Sequence, residues 1–165
     1  MIYTVTLNPA VDKELVVSEL TYDTVLRSQQ INVDYGGKGF NVSRILKSLG
    51  TDSVALGFAG GNNGTLLSDG LTTLGIETDF VWVDGETRTN ISIVTAAPSH
   101  YVKVNEPGPT ISDQALTAFR QKVKELAAPD DWWVLAGSLP PGVPVTLNKK
   151  LVEVTDVVVK PRTLI

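Results

Sequence analysis

The chain has 165 residues, 42% of them hydrophobic, a formal net charge of −4 and no cysteine. That length fills one core and leaves little for a second, and its interspersed charges make no basic face to neutralise a nucleic-acid backbone. With His100 the single histidine, disulfides, thiolate metal sites and histidine clusters are excluded as well.

An acid and a base follow the first short apolar run, which is the wrong layout for a signal peptide or a membrane span. The expectation is one cytoplasmic domain over 1–165, with no nucleic-acid or membrane partner.

Ile2 to Leu7 is β-rich and ends at Asn8-Pro9, a strand running into a turn. Lys13 to Val17 and Val25 to Val33 are further β-prone stretches with mixed polar and apolar residues, as in a small sheet with one wet face. After Gly36-Gly37-Lys38-Gly39, the residues Phe40, Val42, Ile45, Leu46 and Leu49 recur at helical spacing, and Gly50 supplies a stop. Val54 to Ala59 reads as a buried strand, Gly60-Gly61-Asn62-Asn63-Gly64 as a turn, and Thr65 to Leu74 as a helix closed by Gly75. Strands alternating with helices imply a parallel sheet.

From Phe80 the pattern changes. Asp84-Gly85 is a hairpin signal and no helix intervenes before Pro107, so an antiparallel ribbon is expected. Ile111 to Ala128 is an amphipathic helix with Thr110 or Ser112 as its cap, and Trp132 to Gly137 is a buried strand leading to Ser138-Leu139-Pro140-Pro141-Gly142. The class is a layered α/β domain with a small β excursion.

Several residues could carry chemistry, each with a plainer alternative. The glycine loop before the first helix offers free backbone N–H groups to an anion or a polar oxygen, and it is equally a tight strand-to-helix turn. Asp12 sits beyond the first strand, where open α/β sheets collect ligands, and its carboxylate can accept two hydroxyl hydrogen bonds or simply face solvent. Asn41, in the first turn of the loop's helix, reaches toward a ligand or serves the helix start. Arg88 and Lys103, on the two arms of the ribbon, could clamp a phosphate or only confer solubility. Ser138, before Pro-Pro-Gly, presents a hydroxyl from a rigid turn, and no catalytic triad accompanies it. Trp132 and Trp133 read as edge and core packing, and His100 beside Ser99 as an exposed ribbon tip.

Taken together, TLNPAVD, GGKGFNVSRILKSLG, the glycines after LGFAG, TRTN, NEPGP and GSLPPGVP resemble the phosphofructokinase B family of ribokinase-like sugar kinases. Within that family they are most similar to its 1-phosphofructokinase and tagatose-6-phosphate kinase branches. The resemblance spans roughly residues 1 to 145. It implies a ribokinase-like layered α/β fold with a small β-sheet lid, formed within about 13–33 and 87–104, that closes over the sugar. It further implies that Asp12, the backbone of Gly37 and Lys38, and Asn41 hold sugar hydroxyls, that Arg88 holds the existing phosphate, and that Lys103 and Ser138 add contacts. The implied reaction uses ATP and Mg2+ to phosphorylate a ketohexose phosphate, foremost fructose 1-phosphate to fructose 1,6-bisphosphate.

The family's Gly-Ala-Gly-Asp signature, with its anion hole and aspartate base, occurs nowhere in these residues. Nor does the Asp-Thr-Ser-Gly stretch. Val157 to Ile165 is similar to the family's strand ending Lys-Pro-Asn, but Arg162 replaces the Asn and Ile165 the magnesium-organising Glu. The expectation is a fold truncated at its C-terminal side that keeps the sugar-phosphate half, contains no catalytic base, lacks most of the ATP and Mg2+ site and is inactive alone. The alternative is a non-catalytic sugar-phosphate-binding fragment, or one that forms a homodimer through the lid sheet.

Overall fold

A computed structural model describes residues 1–95, 100–149 and 151. Ser99 and the segment from Val157 to Ile165, with Lys160 and Arg162, lie outside the described residues.

The central sheet contains β1 (Ile2–Thr6), β4 (Val54–Ala59), β5 (Glu77–Thr78), β6 (Val81–Trp82) and β9 (Trp132–Leu135). Its order is β5-β4-β1-β9, with β6 also on β4, and every pairing is parallel. Strand alternation sends side chains to two separate cores. Tyr3, Val5, Val54, Leu56 and Phe58 pack with Leu116, Phe119 and Val123 of α3 (Asp113–Leu126) and with Leu147 and Leu151. Ala55 and Ala59 face the other way, against Phe40 of α1 (Lys38–Ser48) and Leu67 and Leu71 of α2 (Gly61–Thr73).

The small residues on this second face let α1 and α2 approach closely. The two polar residues of β1 are satisfied by α1: Thr4 Oγ1 meets Ser43 Oγ at 2.7 Å, and Thr6 Oγ1 accepts from Gly39 N–H at 3.0 Å. The aromatic pair Phe58–Phe119, with centroids 5.1 Å apart, fills the α3 side. Trp133 is buried and stacked on Tyr3 at 4.3 Å, whereas Trp132 is exposed on β9, an edge strand among the described residues.

A second sheet is built from β2 (Ala10–Val17), β3 (Gln30–Gly36), β7 (Arg88–Thr95) and β8 (Tyr101–Asn105), in the order β3-β2-β7-β8. β2 and β7 run parallel, and both outer pairings are antiparallel. The register places Asp34, Asp12, Asn90 and Asn105 in one row across the sheet, and Asn32, Glu14, Ser92 and Lys103 in another. Those residues share a face. The opposite face carries Ile31, Val33, Leu15, Ile91, Ile93, Val102 and Val104 around Lys13, and of these Ile31, Val33, Ile91, Val102, Val104 and Lys13 are exposed.

Three local expectations are corrected. Helix α2 starts at Gly61, so the Gly-Gly-Asn-Asn-Gly stretch is its first turn and not a separate turn. Tertiary partners make this so: Glu86 Oε1 accepts from Asn63 N–H, and Thr87 Oγ1 accepts from Gly60 N–H at 3.0 Å. Asp84-Gly85 is not a hairpin, because β6 pairs in parallel with β4 while β7 leaves for the second sheet and meets β8 there. The strand expected from Val25 begins only at Gln30 and extends to Gly36. Helix α3 is capped by Ser112, whose Oγ accepts from Ala115 N–H at 3.2 Å.

Candidate functional site

The two sheets meet beyond the carboxyl end of β1, and most of the candidate residues gather at that junction. Leaving β1, the chain passes Asn8 and enters β2, so Asp12 lies on a strand rather than in a turn. Asp12 Oδ1 accepts from Asn90 Nδ2 at 2.7 Å across the parallel β2–β7 pair. Asp12 Oδ2 lies against Gly36, where a Cβ would overlap it, so this glycine makes room for the carboxylate.

Arg88 opens β7 opposite Ala10. Its Nη2 donates to the Asn8 carbonyl and its Nη1 to the Glu106 carbonyl, each at 3.0 Å. Two backbone acceptors therefore fix the plane of the guanidinium, and its Nε is buried with no hydrogen-bond partner. Burial pulls the Arg88 guanidinium below its ordinary pKa, while the charges of Asp12 and Glu106 push it back up, and it stays cationic. Such a group suits an anionic oxygen set. Glu106 Oε2 accepts from Thr89 N–H at 2.8 Å, which pins the end of the NEPGP segment to β7.

Asn8 is buried; its Nδ2 donates to the Pro107 carbonyl at 3.0 Å and approaches Ser138 Oγ at 3.5 Å. Ser138 is thereby brought to the junction from the turn after β9. The amide oxygens of Asn8 and Asn90 are both buried without a described partner. Each is an acceptor whose desolvation a donated hydroxyl would offset.

Gly37 caps α1 in extended backbone, and Lys38 begins the helix. A Cβ on Gly37 would crowd Phe40 and Thr6, so the loop is pressed onto the end of β1. Asn41 is exposed on the first turn of α1, and its Oδ1 accepts from Arg44 Nη1 at 3.3 Å. Lys103 is the outlier. It shares the polar face of the second sheet, but its row is two residues farther from the junction than the Asp12–Asn90 row, and it is exposed.

Asn8, Asn90, Glu106, Thr6 and Arg44 were not singled out from the sequence. Asn90 was within reach, since alternation along Arg88–Thr95 puts Arg88, Asn90 and Ser92 on one face. Asn8 looks like any residue before a proline until its burial is known. Among the described residues, no group of three or more histidine, cysteine or acidic side chains could hold a metal ion. No described helix is long and apolar enough to cross a membrane.

Residues 5–160 match the family model described as pfkB family carbohydrate kinase. The chain is 41% identical over 153 residues to a 1-phosphofructokinase of Bacillus subtilis, covering 93% of this chain and 49% of that protein. It is 38% identical over 154 residues to a D-tagatose-1-phosphate kinase of Bacillus licheniformis, covering 93% and 49%. Phosphofructokinase-2 of Escherichia coli, solved in complex with fructose-6-phosphate, superposes with a TM-score of 0.86 at 27% identity, covering 94% of this chain and 51% of that one. The chain thus spans about half the length of the curated relatives it matches.

Proposed function

The chain belongs to the pfkB family of carbohydrate kinases, and from that premise we propose that it is the part of a ketohexose-phosphate kinase that recognises the sugar phosphate. The whole activity is ATP-dependent phosphorylation, foremost of fructose 1-phosphate to fructose 1,6-bisphosphate. The observation that carries the reading is the convergence of Asp12, held by Asn90, with Arg88, held by two carbonyls, at the junction of the two sheets. A carboxylate that accepts hydroxyl protons beside a fixed guanidinium is what a phosphorylated polyol requires.

In this reading Asp12, the backbone N–H groups of Gly37 and Lys38, and Asn41 take the hydroxyls, Arg88 takes the existing phosphate, and Ser138 adds a hydroxyl contact. Lys103 meets the phosphate only when the second sheet acts as a lid and brings its outer row inward. The chain works in the cytoplasm as one domain. The general base and most of the ATP and Mg2+ site belong to parts these residues do not supply, so the chain alone turns nothing over. In a coupled assay, no ADP is released with or without fructose 1-phosphate; turnover by the chain alone would overturn this division of labour.

A second reading is favoured by the exposed, largely apolar face of the second sheet, where Ile31, Val33, Val102 and Val104 surround Lys13. Two copies would cover this face by pairing lid to lid, giving a binding module that dimerises. Sedimentation across a concentration series decides: a strictly monomeric chain removes it.

A further inference from the structure

Arg44 is outside the recognition set proposed above, yet it ties the supports of that set together. It stands on α1 three residues beyond Asn41, with its side chain largely buried. Nη2 donates to Asp34 Oδ1 and to the Tyr35 carbonyl, each at 2.7 Å, and Nη1 donates to Asp34 Oδ2 at 3.1 Å and to Asn41 Oδ1 at 3.3 Å. One planar fork therefore joins the end of β3 to the first turn of α1.

Asp34 lies directly opposite Asp12 in the β2–β3 pair. Two carboxylates so placed repel each other, and the ion pair of Asp34 with Arg44 offsets that repulsion without engaging Asp12. The Tyr35 carbonyl is the last one before Gly36 and Gly37, so the same fork holds the entry to the glycine loop. A guanidinium has donors only, so the Asn41 amide oxygen is the atom that faces it. The Nδ2 group of Asn41 is then left to donate, and it has no hydrogen bond among the described residues.

We infer that Arg44 is a positioning residue that fixes Asn41 as a hydrogen-bond donor to a sugar oxygen and anchors the end of β3 to the glycine-loop helix. The sugar part of this rests on the reading under Proposed function; the orientation of Asn41 does not.

The test is calorimetric titration of fructose 1-phosphate into the full chain as wild type, Arg44→Met, Asn41→Ala, Arg88→Lys and the two doubles that contain Arg44→Met. Arg44→Met is expected to weaken binding about tenfold. It should weaken binding less in the Asn41→Ala background than in the wild type, and multiply with Arg88→Lys as separate sites do. Arg44→Lys, which keeps the charge beside Asp34 but loses the fork, should lose affinity without losing cooperative unfolding. A purely structural role would cut affinity by the same factor in every background, and that result overturns the inference, as would unchanged affinity in Arg44→Met.

If the wild type binds no sugar phosphate, the sugar reading falls and the ligand-free readout decides for Arg44. Arg44→Met should shift the side-chain amide resonances of Asn41 and speed amide exchange in residues 31–36 by about tenfold or more. Neither change appearing overturns the inference.

Discussion

Gly36→Ala isolates the geometry of the site. A methyl group at Gly36 would overlap Asp12 Oδ2 and lie 2.9 Å from Asp12 Cγ and 3.2 Å from the Ala10 carbonyl oxygen. The backbone contact asks for a shift of a few tenths of an ångström, whereas the carboxylate has to leave. On leaving, Asp12 gives up its 2.7 Å hydrogen bond to Asn90. Asn90 is buried, and its other amide atom is already without a described partner. An unpaired buried amide group costs about 1–3 kcal/mol, or about 2–4 °C of melting midpoint per kcal/mol for a chain of this size. If Asp12 takes the sugar hydroxyls as proposed, its displacement should weaken fructose 1-phosphate binding by about tenfold or more. Thermal unfolding and calorimetric titration of Gly36→Ala, Asp12→Ala and the double variant read both effects. With the clashing partner gone, the double should match Asp12→Ala to within about 0.5 kcal/mol. Wild-type values for Gly36→Ala, or full additivity in the double variant, would refute the reasoning.

Gly70→Ala should also destabilise, by about 1–3 kcal/mol in chemical denaturation, because its Cβ would enter the ring of Tyr35, which packs β3 onto α2. Phe119→Ala removes a fully buried ring in contact with Phe58 and should cost about 3–5 kcal/mol, a large share of the stability of a domain of this size. Burial raises the pKa of Asp34, but the Arg44 hydrogen bond, the Tyr35 N–H and the Arg44 charge outweigh it and hold the carboxyl below the usual range. A depressed folded-state pKa contributes stability that is present above the unfolded value and lost as pH falls through the folded one. The anchoring of β3 should therefore weaken only below about pH 4. Amide exchange in residues 31–36 checks this, and Asp34→Asn should flatten the dependence.

Much of the central layer was legible in the residues. Helical spacing from Phe40 to Leu49 located α1, the run Val54 to Ala59 located β4, and Ser112 was among the proposed caps of α3. What stayed hidden depends on partners distant in sequence. The first turn of α2 looked like a loop because the groups that satisfy it, Glu86 and Thr87, lie more than twenty residues away. The parallel pairing of β2 with β7 joins segments separated by about seventy residues, and no local pattern announces it. The site divided in the same way. Asp12, Asn41 and Arg88 stood out by residue type and position, while Asn8, Asn90 and Arg44 matter through what they hold in place, which only the folded chain reveals.

The central claim is that the junction of the two sheets recognises a ketohexose phosphate. Isothermal titration of fructose 1-phosphate into the 165-residue chain tests it most directly, with tagatose 1-phosphate and fructose 6-phosphate run beside it. The account predicts saturable binding at one site per chain, lost in Asp12→Ala and in Arg88→Met while cooperative unfolding is kept. A cooperatively folded sample that takes up none of the three at millimolar concentration would contradict it.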